Sequence, residues 1–229
     1  MDNNIHNLCT QLVKKGELKQ QIFSSTFETM QLFKDSAKEF ETYYKTHFAK
    51  EHEKINVIFK NNNQYEFQFR FAGDVLVFMM HTDIFEFPRI HEVMRTKYMK
   101  EDPERSYCGM IQIFNFLSDS FQYNRINDIG YMIGRILINK EGHYYVEGKR
   151  EIAQVLNDFT SNKLTPEAVR EILYSAIQYA VNFDLLLPGY DKFKEITAHD
   201  ILQMEDSIIT FTTAKRLGFR FEPDVNEKK

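Results

Sequence analysis

The chain has 229 residues, of which 43% are hydrophobic and 27% charged, and its formal net charge is −4. This charge, without a run of Lys or Arg, argues against a nucleic-acid partner, and no apolar stretch reaches the ~18 residues that a membrane span requires. Residues 1–4 show no secretory signal, and Cys9 and Cys108 lack a Cys-x-x-Cys spacing, so we predict a cytoplasmic protein with reduced thiols and no membrane partner. The 21 Phe and 12 Tyr, with no Trp, predict an aromatic-rich core.

Residues 1–53 are predicted to be helical. The segment Ser25-Thr26-Phe27-Glu28 has the form of a capping box, which is typical of a helix start. From there, apolar residues recur at spacings of three and four along one helix face: Phe27, Met30, Phe33, Ala37, Phe40, Tyr44 and Phe48. This stripe could bind a partner or a second copy of the chain, but we favour the simpler interpretation, a helix that lies across a sheet.

Residues 54–149 are predicted to form a β-sheet. Aromatic residues occupy every second position from Tyr65 to Phe71, as in a strand with one buried face. After a turn at residues 72–74, Val75–Met80 is apolar throughout, as in a strand covered on both faces. Further strands are predicted at residues 55–60, 106–117, 130–139 and 143–148, with Asn61–Asn63 as a turn. Their mostly short links predict an antiparallel sheet of five or six strands.

Residues 150–220 are predicted to be helical again, and residues 221–229 to form a frayed tail. Thr165-Pro166 is typical of a capped helix start, and Leu164 and Val169 have the spacing of a hydrophobic staple. Thr197 is predicted to begin a last helix in the same way. Helices, then strands, then helices predict a single α+β domain.

One pattern suggests metal-dependent chemistry. Asp128 is followed by Glu147-Gly148-Lys149 on the second strand of a predicted hairpin. This pattern resembles the signature of the PD-(D/E)xK nuclease family, although Asn127 stands where the family usually has proline. The resemblance covers only the segment from Asp128 to Lys149. It implies that Asp128 and Glu147 hold Mg²⁺ or Mn²⁺ while Lys149 assists the attacking water.

The expected strand pairing favours a structural role for Glu147. If Asn139 faces His143 across the hairpin, Glu147 lies opposite Arg135. Asp128 would then lie more than ~10 Å further along the strand, since each residue adds ~3.4 Å. We therefore favour a cross-strand ion pair between Glu147 and Arg135 over a metal site.

A second candidate metal site is the segment His81-Thr82-Asp83, because residues 81 and 83 share one face of a strand. His91 and Glu92 follow, but Pro88 should break the strand before them. We favour the commoner arrangement, a histidine that is bonded to a neighbouring carboxylate.

The connection from Pro88 to Arg105 is long for a hairpin link, and residues 91–99 could form two helical turns. It could be a lid or docking surface for a protein partner or small ligand, or else a solvated loop. The residues that would form this surface are Arg89, His91, Arg95 and Lys97.

The familiar catalytic patterns are missing from the sequence, since neither Gly-x-Ser-x-Gly nor a glycine-rich phosphate loop occurs. We therefore predict a non-enzymatic domain that binds a protein partner or small ligand, without a cofactor and with self-association into a homo-oligomer. The alternative is a metal-dependent nuclease or hydrolase that uses Mg²⁺ or Mn²⁺.

Overall fold

The computed structural model describes residues 2–149, 152 and 158–183. α-Helices form at α1 (Asp2–His47), α2 (Lys97–Glu101), α3 (Ser118–Gln122) and α4 (Pro166–Val181), and short 3-10 turns at Glu92–Arg95 and Pro103–Ser106. The strands are β1 (Ile58–Asn63), β2 (Glu66–Phe71), β3 (Asp74–Met80), β4 (Phe85–Glu86), β5 (Tyr107–Leu117), β6 (Tyr131–Asn139) and β7 (Tyr144–Gly148). In this part of the chain, no helix is both long and apolar enough to cross a membrane.

The seven strands form one antiparallel sheet in the order β1-β2-β3-β5-β6-β7, which confirms the predicted α+β class. The short strand β4 pairs with the first residues of β5, beyond the end of β3. Because β4 has only two residues, it carries no periodic pattern, and the sheet has more strands than the sequence predicts. The prediction that the whole chain is one domain stays a prediction.

The aromatic stripe of α1 lies on the sheet, as the simpler interpretation predicts. Met30, Phe33 and Ala37 are completely buried. The Phe33 ring lies 5.3 Å from the ring of Phe78 on β3, measured between centroids. Aromatic side chains therefore join the helix to the sheet, where each buried ring removes a large apolar area from water.

The predicted capping box at Ser25 is wrong, because α1 runs without a break through this residue. Thr26 Oγ1 donates a hydrogen bond to Ile22 O at 2.7 Å, and Thr29 Oγ1 donates to Ser25 O at 2.8 Å. The hydroxyl groups thus bond to carbonyl groups four residues earlier in the helix. A local pattern of Ser and Thr cannot separate this arrangement from a cap.

The first strand begins later than predicted. β1 is Ile58–Asn63 and not residues 55–60, so the asparagine run ends the strand and does not form the turn. Asn63 Oδ1 accepts a hydrogen bond from Tyr65 N at 2.8 Å. The asparagine side chain therefore stabilises the turn from the last position of the strand.

The start of α4 is confirmed. Thr165 Oγ1 accepts a hydrogen bond from Ala168 N at 3.2 Å, and Pro166 occupies the first helical position. Leu164 and Val169, the predicted staple, both join the main core. The helix predicted to begin at Thr197 and the tail at residues 221–229 lie outside the described residues.

Both faces of the sheet carry buried apolar side chains. Helices α1 and α4 cover one face, which we call the helix face. On the opposite face, the segment of residues 87–106 contributes Phe87, Val93 and Met99 to a second apolar cluster with Cys108, Met110, Leu137 and Phe159. The 88–105 connection therefore contributes to the core and is not merely a solvated loop. Cys108 is buried, which raises the pKa of its thiol.

Ion pairs connect the segment of residues 87–106 to the turn between β6 and β7. Lys140 Nζ lies 2.7 Å from Asp102 Oδ2 and 2.8 Å from Glu104 Oε2, and Arg105 Nε lies 2.9 Å from Glu141 Oε1. The hydrogen bond from the Lys140 ammonium holds the pKa of the Asp102 carboxyl below its usual range.

We expect Lys140→Met to lower the free energy of unfolding at pH 7 by about 1 kcal/mol and to make its acid dependence shallower. The pKa of Asp102 is lower in the folded chain, so its contribution is present above the unfolded pKa of ~4 and is lost as the pH falls through the folded pKa. Urea unfolding between pH 2 and 7 measures this. Lys97→Met is the matched control, since Lys97 is exposed and lies 3.9 Å from its partner Glu101. Identical pH profiles for Lys140→Met and the wild type would contradict the expectation.

Candidate functional site

The predicted register of the β6–β7 hairpin is confirmed. Arg135 lies opposite Glu147, and Lys149 N donates a hydrogen bond to Ile133 O at 2.9 Å. The carboxylate of Glu147 forms a close ion pair with Arg135 and lies 3.4 Å from His91 Nε2. Glu147 therefore has two cationic or donor neighbours on the strand surface.

The three residues of the nuclease-like pattern have separate surroundings. Glu147 lines a groove of about 220 Å³ on the opposite face, beside Leu137. Lys149 lines a cavity on the helix face, because β7 ends at Gly148 and the chain bends there. Asp128 lies in the loop before β6, where its Oδ2 accepts a hydrogen bond from Ser120 Oγ at 2.8 Å. The metal-dependent alternative stays a prediction from the sequence.

His81 and Asp83 lie next to each other at the end of β3. His81 Nδ1 accepts a hydrogen bond from Asp83 N at 3.1 Å, and Asp83 Oδ2 lies 3.8 Å from the same nitrogen. The histidine is thus hydrogen-bonded to the backbone of Asp83 and not to its carboxylate, and the metal site at His81 and Asp83 stays a prediction from the sequence. Among the described residues, no three His, Cys, Asp or Glu side chains are grouped so that they could hold a metal ion.

The residues predicted to form a ligand or partner surface belong to the segment of residues 87–106, which covers the opposite face of the sheet. Arg89, Arg95 and Lys97 are exposed. His91 caps the 3-10 turn, with Nδ1 accepting a hydrogen bond from Val93 N at 3.3 Å. The ring proton is then on Nε2, which faces Glu147. Both ring nitrogens of His91 thus have neighbours within the protein.

A cavity of about 90 Å³ lies on the helix face, near the C-terminal end of α4. We call it the Asn115 cavity. Asn115 of β5 faces Leu76 of β3 in the sheet register, and Leu76 belongs to the main core, so Asn115 points into the helix face. The other walls used below are Tyr131, Met132, Ile133, Lys149, Tyr179 and Phe183.

Asn115 is a buried polar residue with an unused acceptor. Its side chain is 2% exposed, and Oδ1 has no hydrogen-bond donor. In the described part of the chain it is the only buried side-chain oxygen or nitrogen in this state. A buried carbonyl without a donor costs about 1–3 kcal/mol, and folded proteins keep few of them. A bound molecule that donates a hydrogen bond would remove this cost.

Aromatic side chains form much of the cavity wall. The rings of Tyr179 and Phe183 stack with their centroids 5.8 Å apart and an interplanar angle of 25°. Tyr131 pairs with Asn115 across β5 and β6, and burial raises the pKa of its hydroxyl group. The Tyr131 hydroxyl group is therefore neutral at physiological pH. Walls that are mostly apolar with a few polar groups also line small-molecule sites, although those sites are usually larger than this cavity.

The sequence analysis missed Asn115, although a signal was present. In the strand at residues 107–117, Ile111, Ile113 and Asn115 share one face. A polar residue in the apolar register of a strand marks either a buried hydrogen-bond network or a binding site. Only the tertiary structure shows that no donor of the described residues reaches this one.

The described residues define an α+β protein whose antiparallel sheet carries the two long helices α1 and α4 on one face, with a small cavity there that is lined by the buried Asn115. Comparison with protein-family models, with curated proteins and with solved structures finds no match for the chain. Its function is therefore inferred from the geometry of the cavity.

Proposed function

We propose that the chain is a non-enzymatic binding domain that holds a small molecule in the Asn115 cavity. The observation that carries this proposal is the buried Asn115, which lines the cavity and whose Oδ1 has no donor among the described residues. A buried acceptor without a donor is unfavourable, and a ligand that pairs with it would remove this cost. Cytoplasmic localisation and assembly into a homo-oligomer stay predictions.

The size of the cavity supports a very small ligand. An apolar cavity of about 150 Å³ holds one benzene molecule. The Asn115 cavity measures about 90 Å³, so a compact molecule smaller than benzene suits it better than a nucleotide or a peptide.

The chemistry of the walls supports binding and not catalysis. The Asn115 amide is neither an acid, a base nor a nucleophile, and the Tyr131 hydroxyl group stays protonated at neutral pH. General acid–base catalysis would need a group that titrates near the working pH. An amide that orients a ligand among aromatic rings needs no such group.

We expect pyrrole or furan, two rings of five non-hydrogen atoms, to bind in the cavity with saturable chemical-shift changes in ¹H–¹⁵N spectra of the full chain. The changes should centre on the amides of Tyr131, Ile133 and Tyr179, which lie at the cavity. In Asn115→Phe, the added ring should occupy the cavity and abolish these changes. Saturable changes at Leu137 and Met110, on the opposite face, would place the probe in the groove instead. Failure of both probes to bind in the cavity would contradict the proposal.

A further inference from the structure

Building on the proposed function, we infer that the ligand of the Asn115 cavity is a neutral molecule with an apolar body and one N–H or O–H group, which donates a hydrogen bond to Asn115 Oδ1. The observations that support this ligand class are the unused acceptor, the apolar walls and the basic residue Lys149 among the described residues of the wall.

The requirement for a donor follows from the state of Oδ1. A carbonyl oxygen only accepts hydrogen bonds, so a ligand that presents another acceptor leaves it unsatisfied. Sites built to pair with a substrate O–H or N–H reject analogues that lack the group, because the buried protein atom then stays unpaired. A factor of ten in affinity corresponds to about 1.4 kcal/mol, which is within the cost of one such unpaired group.

The requirement for a neutral ligand follows from two polar residues of the wall, Lys149 and Asn115. A cationic ligand would share the cavity with the Lys149 ammonium. An anionic ligand would place an acceptor oxygen against Asn115 Oδ1 and would lose its hydration in a largely apolar space. A neutral donor avoids both penalties.

Water suits the cavity less well than an organic molecule. A volume of about 90 Å³ would hold about three waters, each of which needs two to four polar partners. Much of the wall consists of apolar groups, including Ile133, Met132 and the stacked rings of Tyr179 and Phe183. A molecule with one donor and an apolar body matches both the single unused acceptor and these rings.

Pyrrole and furan test the requirement for a donor, because they are planar five-membered rings of nearly equal size. Pyrrole carries an N–H group, whereas furan has only an acceptor oxygen. We expect the full-length wild type to bind pyrrole at least about tenfold more tightly than furan in an NMR titration followed at the Ile133 and Tyr131 amides. In Asn115→Val, which removes the acceptor, the preference should fall to about twofold or less.

The possible results separate this inference from the proposed function. Equal affinity for pyrrole and furan in the wild type would overturn the requirement for a donor, while the cavity would stand as a binding site. A pyrrole preference that persists in Asn115→Val would also overturn it, because the N–H group would then pair elsewhere. Binding of neither ring would overturn the proposed function itself. These wild-type measurements decide the matter even if the valine variant is poorly folded.

Discussion

Replacing Asn139 with valine should lower the free energy of unfolding by about 3 kcal/mol or more, whereas the same replacement at Asn115 should raise it by about 1 kcal/mol. Both asparagines are buried, with exposures of 0% and 2%, and both lie on central strands of the sheet. The two substitutions remove the same atoms and add the same side chain, so each is the matched control for the other.

The opposite signs follow from the hydrogen bonds of the two amides. Asn139 Oδ1 accepts from the backbone N–H groups of Glu141 and His143, each at 3.0 Å, and Asn139 Nδ2 donates to the Tyr98 hydroxyl at 2.9 Å. Valine at position 139 would leave these partners without their bonds in a buried turn. At position 115 the carbonyl has no donor to lose, and valine is favoured in strands.

Urea unfolding at pH 7 measures both changes. If Asn115→Val destabilises the protein as strongly as Asn139→Val does, then the Asn115 side chain is hydrogen-bonded within the protein. Its Oδ1 would then not be an unused acceptor. A gain in stability that accompanies the loss of the pyrrole preference would identify Asn115 as a residue kept for binding at the expense of stability.

Gly109→Ala is the second substitution with a large expected effect, a loss of about 1–3 kcal/mol in the free energy of unfolding. Gly109 lies on β5 where α1 crosses the sheet, and a Cβ atom there would overlap the completely buried side chain of Thr26. It would lie only 2.9 Å from Thr26 Cβ, so the long helix must move away from the sheet. Interiors packed to crystal-like density accommodate such a shift poorly.

Gly16→Ala is the matched control for this prediction. Gly16 lies inside α1, and beyond the adjacent residues and the backbone of its own helix no atom lies within 4 Å of the position that its Cβ would occupy. Alanine is favoured over glycine in a helix, so the stability should rise by about 0.5–1 kcal/mol. Thermal or urea unfolding of both variants tests the close contact. A neutral Gly109→Ala would show that α1 does not lie tightly on β5.

The parts of the fold that could be predicted are those with local or periodic signals. The period of two at Phe67, Phe69 and Phe71 predicts β2, and one hairpin turn sets the whole register that pairs Glu147 with Arg135. The spacing of three and four in α1 predicts its buried face for a similar reason. Each of these signals comes from residues that lie close together in the sequence.

The features that could not be predicted depend on distant contacts. The capping box predicted at Ser25 is wrong because a hydroxyl group inside a helix and one at its cap look alike in sequence. The segment at residues 88–105 showed charges and no apolar period, so its burial of Val93 and Met99 was not visible. Asn115 is the sharpest case, since its significance lies in a donor that the folded chain does not supply.

A crystal structure of the full chain soaked with pyrrole tests the role of the Asn115 cavity most directly. We expect electron density for the ring between Asn115 and the aromatic wall, with the pyrrole nitrogen about 2.7–3.2 Å from Asn115 Oδ1. A cavity closed to pyrrole, with Oδ1 bonded to a donor of the protein itself, would contradict it.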